Sequence, residues 1–565
     1  MGIYSAFSIG RTALVANQAA LEVIGNNIAN ASTPNYSRQV PIMVPGPSLN
    51  TGMHLGTGVR LEAIRRVYDT AVESRLRDAI SNGQSTQVQQ QMLDRIEALY
   101  SETTDTDLST ALTTFFNSFS ELANDPQNLG VRTIVVENCR QLADLIKSMR
   151  DGLDVLRQEA DYSVRVTATE INRLSREIAD LNVQVLSAEE GQVGSAPNLR
   201  DQRDAKIREL AELIEVRAVE LDNGQTNIIV GNQVLVDGRY YRELTTKIVE
   251  DRNLGVYEVR FADNDEQVAL TGGALQGHVA SRDSWAGEQV DSLDQLAQAL
   301  VFETNLLHAE GIGLIEQRTV RSENFVMDAA AVLNGADAGL FNTPRHGSFL
   351  IHVTNAVSGM TETSVVTVDL DGLGADDSLN SLAAKLDALD NVTSYVDATG
   401  HLVIEGSTSE IRLSFTEDSS QVLACLGVNS LFTGYDSVTI GMSDAVQADP
   451  RLLAAGLTSQ AGDNGNALRL AGLADTPLAS LGNTSLLDYH TQAATRLAVN
   501  TAAARSSNEA VQAFLSTMND EREAISGVSL DEEAVSLIRY QKAYAAAARY
   551  MSTLSELLDE IMEII

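Results

Sequence analysis

The sequence predicts a multidomain α+β protein, with a terminal α-helical coiled-coil domain, a helical rod domain, and outward-facing β-rich domains inserted between them. Three observations carry this reading. The 565 residues correspond to three or four domains at about 150 residues each. Both ends of the chain bear apolar stripes at alternating steps of four and three residues. Between those ends the apolar period falls to two, the spacing of strands.

The first stripe is Ile3, Phe7, Gly10, Leu14, Asn17, Leu21, Ile24 and Ile28, an amphipathic helix with one small and one polar interruption. Ser32, Thr33 and Pro34 end it near Asn30, because a residue before proline is pushed out of the α region. From Tyr36 to about Arg60 the chain reads as extended and turn-rich. Asp125 and Pro126 suit the N-cap and first position of a long helix. Its stripe runs from Val135 and Cys139 through Leu153, Val164 and Ile178 to Val185, a rod of roughly 75 Å at 1.5 Å per residue. The expected partner is a helix from about Leu486 to Ile525, with Leu497, Ala504, Val511, Leu515 and Met518 on one side.

Residues 216–270 read as short strands, with a hairpin turn at Asp222, Asn223 and Gly224. A helix follows around Val290, Leu293, Ala297, Leu300, Thr304 and Leu307. Residues 346–445 return to strands around one helix, SLNSLAAKLDAL. The final helix starts at a capping box of Ser529 and Glu532. Its stripe is Leu537, Tyr540, Tyr544, Ala547, Met551, Leu554, Leu558, Ile561 and Ile565, none of them charged. The expected domains are therefore 1–66 with 526–565, 67–215 with 450–525, 216–315, and 316–449.

Charge and composition exclude several functions. The net charge is −37, so a nucleic-acid backbone would be repelled over most of the surface. Residues 316–449 alone carry 19 acidic against 5 basic residues, the composition of a solvated, outward-facing domain. The N-terminus has neither a basic n-region nor a continuous apolar core, so it does not read as a cleaved signal. No run of about 18 apolar residues suggests membrane insertion. Two cysteines, Cys139 and Cys425, both in apolar settings, read as core residues rather than nucleophiles. No metal or cofactor is expected: the seven histidines are scattered, and P-loop, dinucleotide and nucleophile-elbow patterns are missing. Asp369 and Asp371 before Gly372 hint at a calcium loop, but the ligand series does not continue, which leaves a β-turn.

The two terminal stripes need an explanation beyond one chain. If the helices pair with each other, a two-helix hairpin still has no enclosed core, so side chains around Tyr540, Tyr544, Phe7 and Ile24 face water unless neighbouring chains cover them. The sequence thus predicts an assembly subunit.

The run Asn26, Asn27, Ile28, Ala29, Asn30, Ala31, Ser32, Thr33, Pro34, Asn35, Tyr36, Ser37, Arg38 resembles the signature of bacterial flagellar rod, hook and hook-associated proteins. The C-terminal stretch from Ser526 to Ile565 resembles the same family. Asn35 stands where that signature often has Gly, and Asn tolerates the left-handed region better than most residues.

The resemblance implies a structural subunit of the hook–filament junction, secreted through the flagellar type III apparatus and not an enzyme. It implies an annular homo-oligomer, with the hook protein, a second junction protein and an export chaperone as partners and no cofactor. Ile3, Phe7, Leu14, Leu21, Ile24 and Ile28, with Asn26, Asn27, Asn30, Thr33, Pro34, Tyr36 and Arg38, are its expected N-terminal packing residues. Leu537, Tyr540, Tyr544, Met551, Leu554, Leu558, Ile561 and Ile565 are the expected C-terminal packing and chaperone-binding residues. The alternatives are a hook or distal-rod protein and, from another class, a secreted adhesin or hydrolase.

Overall fold

The computed structural model describes residues 3–47, 49–50, 54–101, 107–190 and 192–564. Ile565 and the side chain of Ile3 lie outside the described residues. The chain divides into two compact units, each assembled from separate stretches: residues 1–92, 158–282 and 502–565 in one, and 93–157 with 283–501 in the other.

Helices form where the apolar period predicts them, with shifted ends. The N-terminal helix is Ile3–Ala29 and the last is Leu530–Ile564. The long helix is Leu129–Ala188, 60 residues. Its start differs from the expected Asp125–Pro126 cap. Asp125 instead ends the preceding helix, Leu108–Asn124, and Asn128 caps the long one by accepting from the Gly130 N–H at 2.9 Å. An Asx side chain reaches a free N–H two residues on, and Asn128 is the residue so placed. Several helices have no counterpart in the sequence reading, the longest of them Thr70–Ser101, Leu108–Asn124 and Pro197–Leu213.

In the first unit the long helix packs on a helix and strands with which the sequence reading did not pair it. Val164, Ala168, Ile171, Leu174 and Ile178 pack with Ile207 and Leu210 of Pro197–Leu213 and with Ile228, Leu235 and Phe261 of the strands. Those strands are an antiparallel four-stranded sheet, Arg217–Glu220, Thr226–Val230, Gln233–Asp237 and Tyr240–Tyr241, beside a hairpin of Leu244–Asp251 and Leu254–Phe261. Its first turn falls at the expected place, with Gly224 at φ +82°, a conformation that favours glycine. Leu515 and Met518 of the helix Leu486–Ser526 pack instead on Leu76 and Ala79 of Thr70–Ser101.

Asn182 explains how the long helix is registered on the sheet. Its side chain is fully buried and makes four hydrogen bonds. Nδ2 donates to the carbonyls of Thr226 and Gly238, both at 2.8 Å. Oδ1 accepts from the Thr226 N–H at 2.9 Å and from Arg203 at 3.1 Å. A buried amide fits only where every donor and acceptor is met.

In the second unit, two antiparallel three-stranded sheets enclose one core. One runs Thr361–Val368, Gly347–Asn355, Ile411–Thr416; the other runs Thr319–Arg321, Leu402–Gly406, Val392–Val396. Phe349, Ile351 and Val353 alternate inward, as period two requires. The helix Leu379–Asp387 closes on this core behind a Ser378–Ser381 capping box. The Asp369–Gly372 segment is a turn, in which Asp371 and Asp376 accept the N–H groups of Leu373 and Gly372 at 2.7 and 3.0 Å. Both cysteines are buried and free, and burial pushes each thiol up.

His308, near the end of the helix Gly287–Ala309, is fully buried in this unit. Nε2 accepts the Ala454 N–H at 3.0 Å, so the ring proton sits on Nδ1, which donates to the Asn429 carbonyl at 2.7 Å. Burial lowers its pKa to about 4, below the ordinary value of about 6.5.

Two outcomes follow. Asn182→Leu leaves the buried Thr226 and Gly238 groups without partners and is expected to cost about 3 kcal/mol, read from urea unfolding followed at the first unit. Because His308 has a folded pKa below its unfolded one, its contribution is present above pH 6.5 and lost as pH falls towards 4. A loss of roughly 3 kcal/mol over that window should flatten in His308→Gln.

Candidate functional site

The N-terminal helix packs along the C-terminal helix, and the contact is closed at one end by a polar knot. Asn27, 1% exposed, lies at its centre. Its Nδ2 donates to the Gln39 carbonyl at 2.9 Å and to Glu533 Oε2 at 3.0 Å. Its Oδ1 accepts from the Gln39 N–H at 3.0 Å and the Tyr36 hydroxyl at 2.8 Å. One side chain thereby ties together the first helix, the strand after it and the last helix. Glu533, 2% exposed, also receives Arg38 Nε at 2.7 Å. Arg38 Nη1 pairs with Glu532 at 2.7 Å, and the Arg38 N–H reaches the Ser526 carbonyl at 2.9 Å.

This arrangement corrects the capping box. The Glu532 N–H meets Ser529 Oγ only at 3.5 Å, and the Glu532 carboxylate is engaged by Arg38. A charged partner 2.7 Å away outcompetes a neutral backbone N–H.

The turn after the first helix is built from its own polar side chains. Asn30 Nδ2 donates to the carbonyl and the side chain of Asn26, both at 2.9 Å, and Thr33 Oγ1 donates to Asn30 Oδ1 at 3.1 Å. Asn26 Nδ2 reaches the Tyr36 hydroxyl at 3.1 Å. Asn35 has φ +65°, the left-handed conformation expected where Asn replaces Gly. Burial, with Asp201 and Glu533 nearby, pushes the Tyr36 phenol up to about 12.

Beneath the turn lies an ionic layer that sequence reading missed. Asp201 accepts the Ser37 N–H at 3.1 Å and, with Asp204, binds Arg66 at 3.0 and 2.6 Å. Arg208 spans from Glu73, at 2.8 Å, to the Asn35 side chain, at 3.0 Å. Arg522 meets the other oxygen of Glu73 at 2.9 Å. These partners are scattered along the chain, and a charged run such as Arg200–Arg208 has no apolar period to reveal it. The exposed tip, Ser32 to Asn35, stands between two clefts of about 290 and 430 Å³.

Along the helix pair, Ile24 and Leu554 are buried, whereas Phe7, Leu14, Leu21, Leu537, Tyr540, Met551 and Leu558 are half-buried. Ile28, Tyr544 and Ile561 are exposed. The buried face of the first helix also includes Gly10, Ala16, Ala20 and Val23, because the hairpin of Gln39–Pro45 and Val59–Arg66 contacts it beside the last helix. Gly10 lies against Met551 and Tyr550 of the last helix, where an added Cβ would require the Met551 side chain to shift. A second face of the last helix is largely exposed: Val535, Ile538 and Leu557 are 69%, 56% and 46% exposed. Tyr4 and Val15 are likewise exposed on the first helix.

Two terminal helices latched together, with apolar faces left open, define a subunit of a polymer rather than a self-sufficient globule. Family models agree on the class. Residues 7–36 match the flagella basal body rod protein model, 522–564 the flagellar basal body rod FlgEFG protein C-terminal model, and 93–321 the flagellar hook-associated protein FlgK helical domain. The chain is 26% identical over 98% of both chains to flagellar hook-associated protein 1 of Escherichia coli K12. It is 24% identical to flagellar hook-associated protein 1 of Bacillus subtilis 168, over 98% of this chain and 96% of that one. Over nearly its whole length the chain is thus similar to flagellar hook-associated protein 1. A solved structure titled as the flagellar hook junction protein FlgK from Burkholderia pseudomallei shares the fold, with a TM-score of 0.50 and 17% identity over 80% of this chain and all of that one.

Replacing Glu533 with Ala leaves Arg38 and Asn27 facing a buried void. Breaking such a pair costs about 3–5 kcal/mol, so hydrogen exchange in Ile3–Ala29 and Leu530–Ile564 should accelerate together while exchange in the second unit stays unchanged.

Proposed function

We propose that the chain is the structural subunit of the bacterial flagellum that forms the junction layer between hook and filament. The observation that carries this is the pairing of a rigid latch at Asn27, Arg38 and Glu533 with open apolar faces on both terminal helices. A face of Val535, Ile538 and Leu557 left in water is unfavourable at about 25 cal/mol per Å², and a repeating neighbour removes that exposure. The role is structural, and the chain is not an enzyme.

In this reading the copies form an annular layer, contacted on one side by the hook protein and on the other by a second junction protein. The packing residues are those named from the sequence, from Ile3 to Arg38 and from Leu537 to Ile565. The exposed Ser32–Asn35 tip and its clefts are a second contact for a neighbouring copy. Before assembly, the apolar side of the last helix is the natural ligand for an export chaperone, as an amphipathic helix lying in a groove. Export through the flagellar type III apparatus places the chain outside the cell. The terminal helices, 1–66 with 526–565, then form the inner tube; 67–215 with 450–525 form a second shell; and 216–315 and 316–449 face outward, the last with its acidic surface in solvent.

Deletion of the coding sequence is expected to leave hooks without filaments in electron micrographs, with flagellin lost to the medium. Normal filaments on the deletion strain would sink the assignment. The double substitution Val535→Asp, Ile538→Asp changes exposed side chains, so stability should move by less than about 0.5 kcal/mol per site while complementation of motility is lost.

A further inference from the structure

In the second unit, a cleft of about 350 Å³ opens between the helix Gly287–Ala309, the segment 323–327 and the segments 339–342 and 424–435. Nothing in the proposed junction role uses it. Its rim is made of large apolar side chains held in water: Phe325 and Phe341 are each 52% exposed, Tyr435 43% and Met327 73%. Single exposed apolar residues are ordinary, but four around one opening mark a binding site. Phe341 and Tyr435 stack on each other, with ring centroids 4.8 Å apart and planes 17° from parallel, which fixes them as one wall. Val301 and Phe432 are buried beneath.

The polar inventory of the cleft selects the ligand. Among the described residues lining it, Glu323 is the sole charged side chain, and no lysine, arginine or histidine is present. Its carboxylate has a single long side-chain contact, from Ser443 Oγ at 3.4 Å. Asp444 lies close enough to add to the negative potential, with Arg321 opposing it. Of the three amides lining the cleft, those of Asn305 and Asn324 are occupied. Asn305 donates to the Phe432 carbonyl and accepts from the N–H groups of Leu431 and Phe432, and Asn324 donates to the Cys425 carbonyl. An anion would meet no counter-charge here. A cation would meet an aromatic rim and the carboxylate of Glu323. A bare ammonium loses strong hydration that rings cannot replace, whereas an alkylated ammonium is weakly hydrated and fills an apolar mouth.

We propose that this cleft binds an alkylated ammonium group, held between the rings of Phe325, Phe341 and Tyr435 and the carboxylate of Glu323. The test is calorimetric titration of the full-length chain with choline and with 3,3-dimethylbutan-1-ol, which has the same shape without the charge. Choline is expected to bind at least about tenfold more tightly, and Tyr435→Ala and Glu323→Gln should each erase most of that preference with thermal unfolding unchanged. Equal binding of the neutral alcohol, or no saturable binding of choline to the unaltered chain, overturns the proposal without recourse to any variant. An Nα-acetyl-Nε-trimethyl-lysine amide arm identifies the carrier: tighter binding than choline assigns the group to a modified protein, weaker binding to a small molecule or a lipid head group.

Discussion

A buried asparagine joins the beginning of this polypeptide to its end. Asn27 meets the backbone of Gln39, the hydroxyl of Tyr36 and the carboxylate of Glu533, using both lone-pair directions and both N–H bonds of its amide. A network satisfied to this degree specifies one geometry, because sliding either helix by a turn would strand several buried polar groups at once. The apolar contacts along the pair do not specify in that way. Phe7, Leu14, Leu21, Leu537 and Leu558 are half-buried, and apolar packing tolerates rearrangement. The knot sets the register, and the greasy stripe supplies area.

The same division of labour recurs beneath the turn and inside the first unit. A chain with 77 acidic and 40 basic residues places several of its arginines in the interior, where Arg66, Arg208 and Arg522 bind Asp201, Asp204 and Glu73. Removing two charges from water is costly, so such layers add geometry more than stability. Asn182 does for the long helix and the sheet what Asn27 does for the two ends.

Much of this was legible in one dimension. The signature from Asn26 to Arg38 and the C-terminal stretch pointed to a flagellar structural protein, while of the described large side chains along the stripes only Ile24 and Leu554 are buried and Tyr544 and Ile561 are exposed. The left-handed Asn35 followed from the residue type. The reading failed where packing is not periodic. Pro197–Leu213 buries Arg200, Asp201, Arg203 and Asp204, so its buried side is charged and its pattern imitates a solvent face. Thr70–Ser101 is polar along much of its length and gives little amphipathic signal. The long helix was seen as one rod, but its packing on Pro197–Leu213 and the strands was not foreseen, because a heptad stripe announces that something covers it and carries no label for what does.

The amino-acid sequence by itself determined the class of fold, the helical ends, the strand-rich middle and the need for assembly, since periodicity and turn chemistry are local properties written residue by residue. Tertiary structure alone decided that Glu532 pairs with Arg38 instead of closing a capping box with Ser529, that Glu533 takes Arg38 and Asn27, that the helix Pro197–Leu213 packs on the long helix, and that Phe325, Phe341, Tyr435 and Glu323 line one cleft. Each of those depends on bringing distant segments within about 3–6 Å, the range over which hydrogen bonds, ion pairs and ring contacts act, and no local pattern encodes such distances.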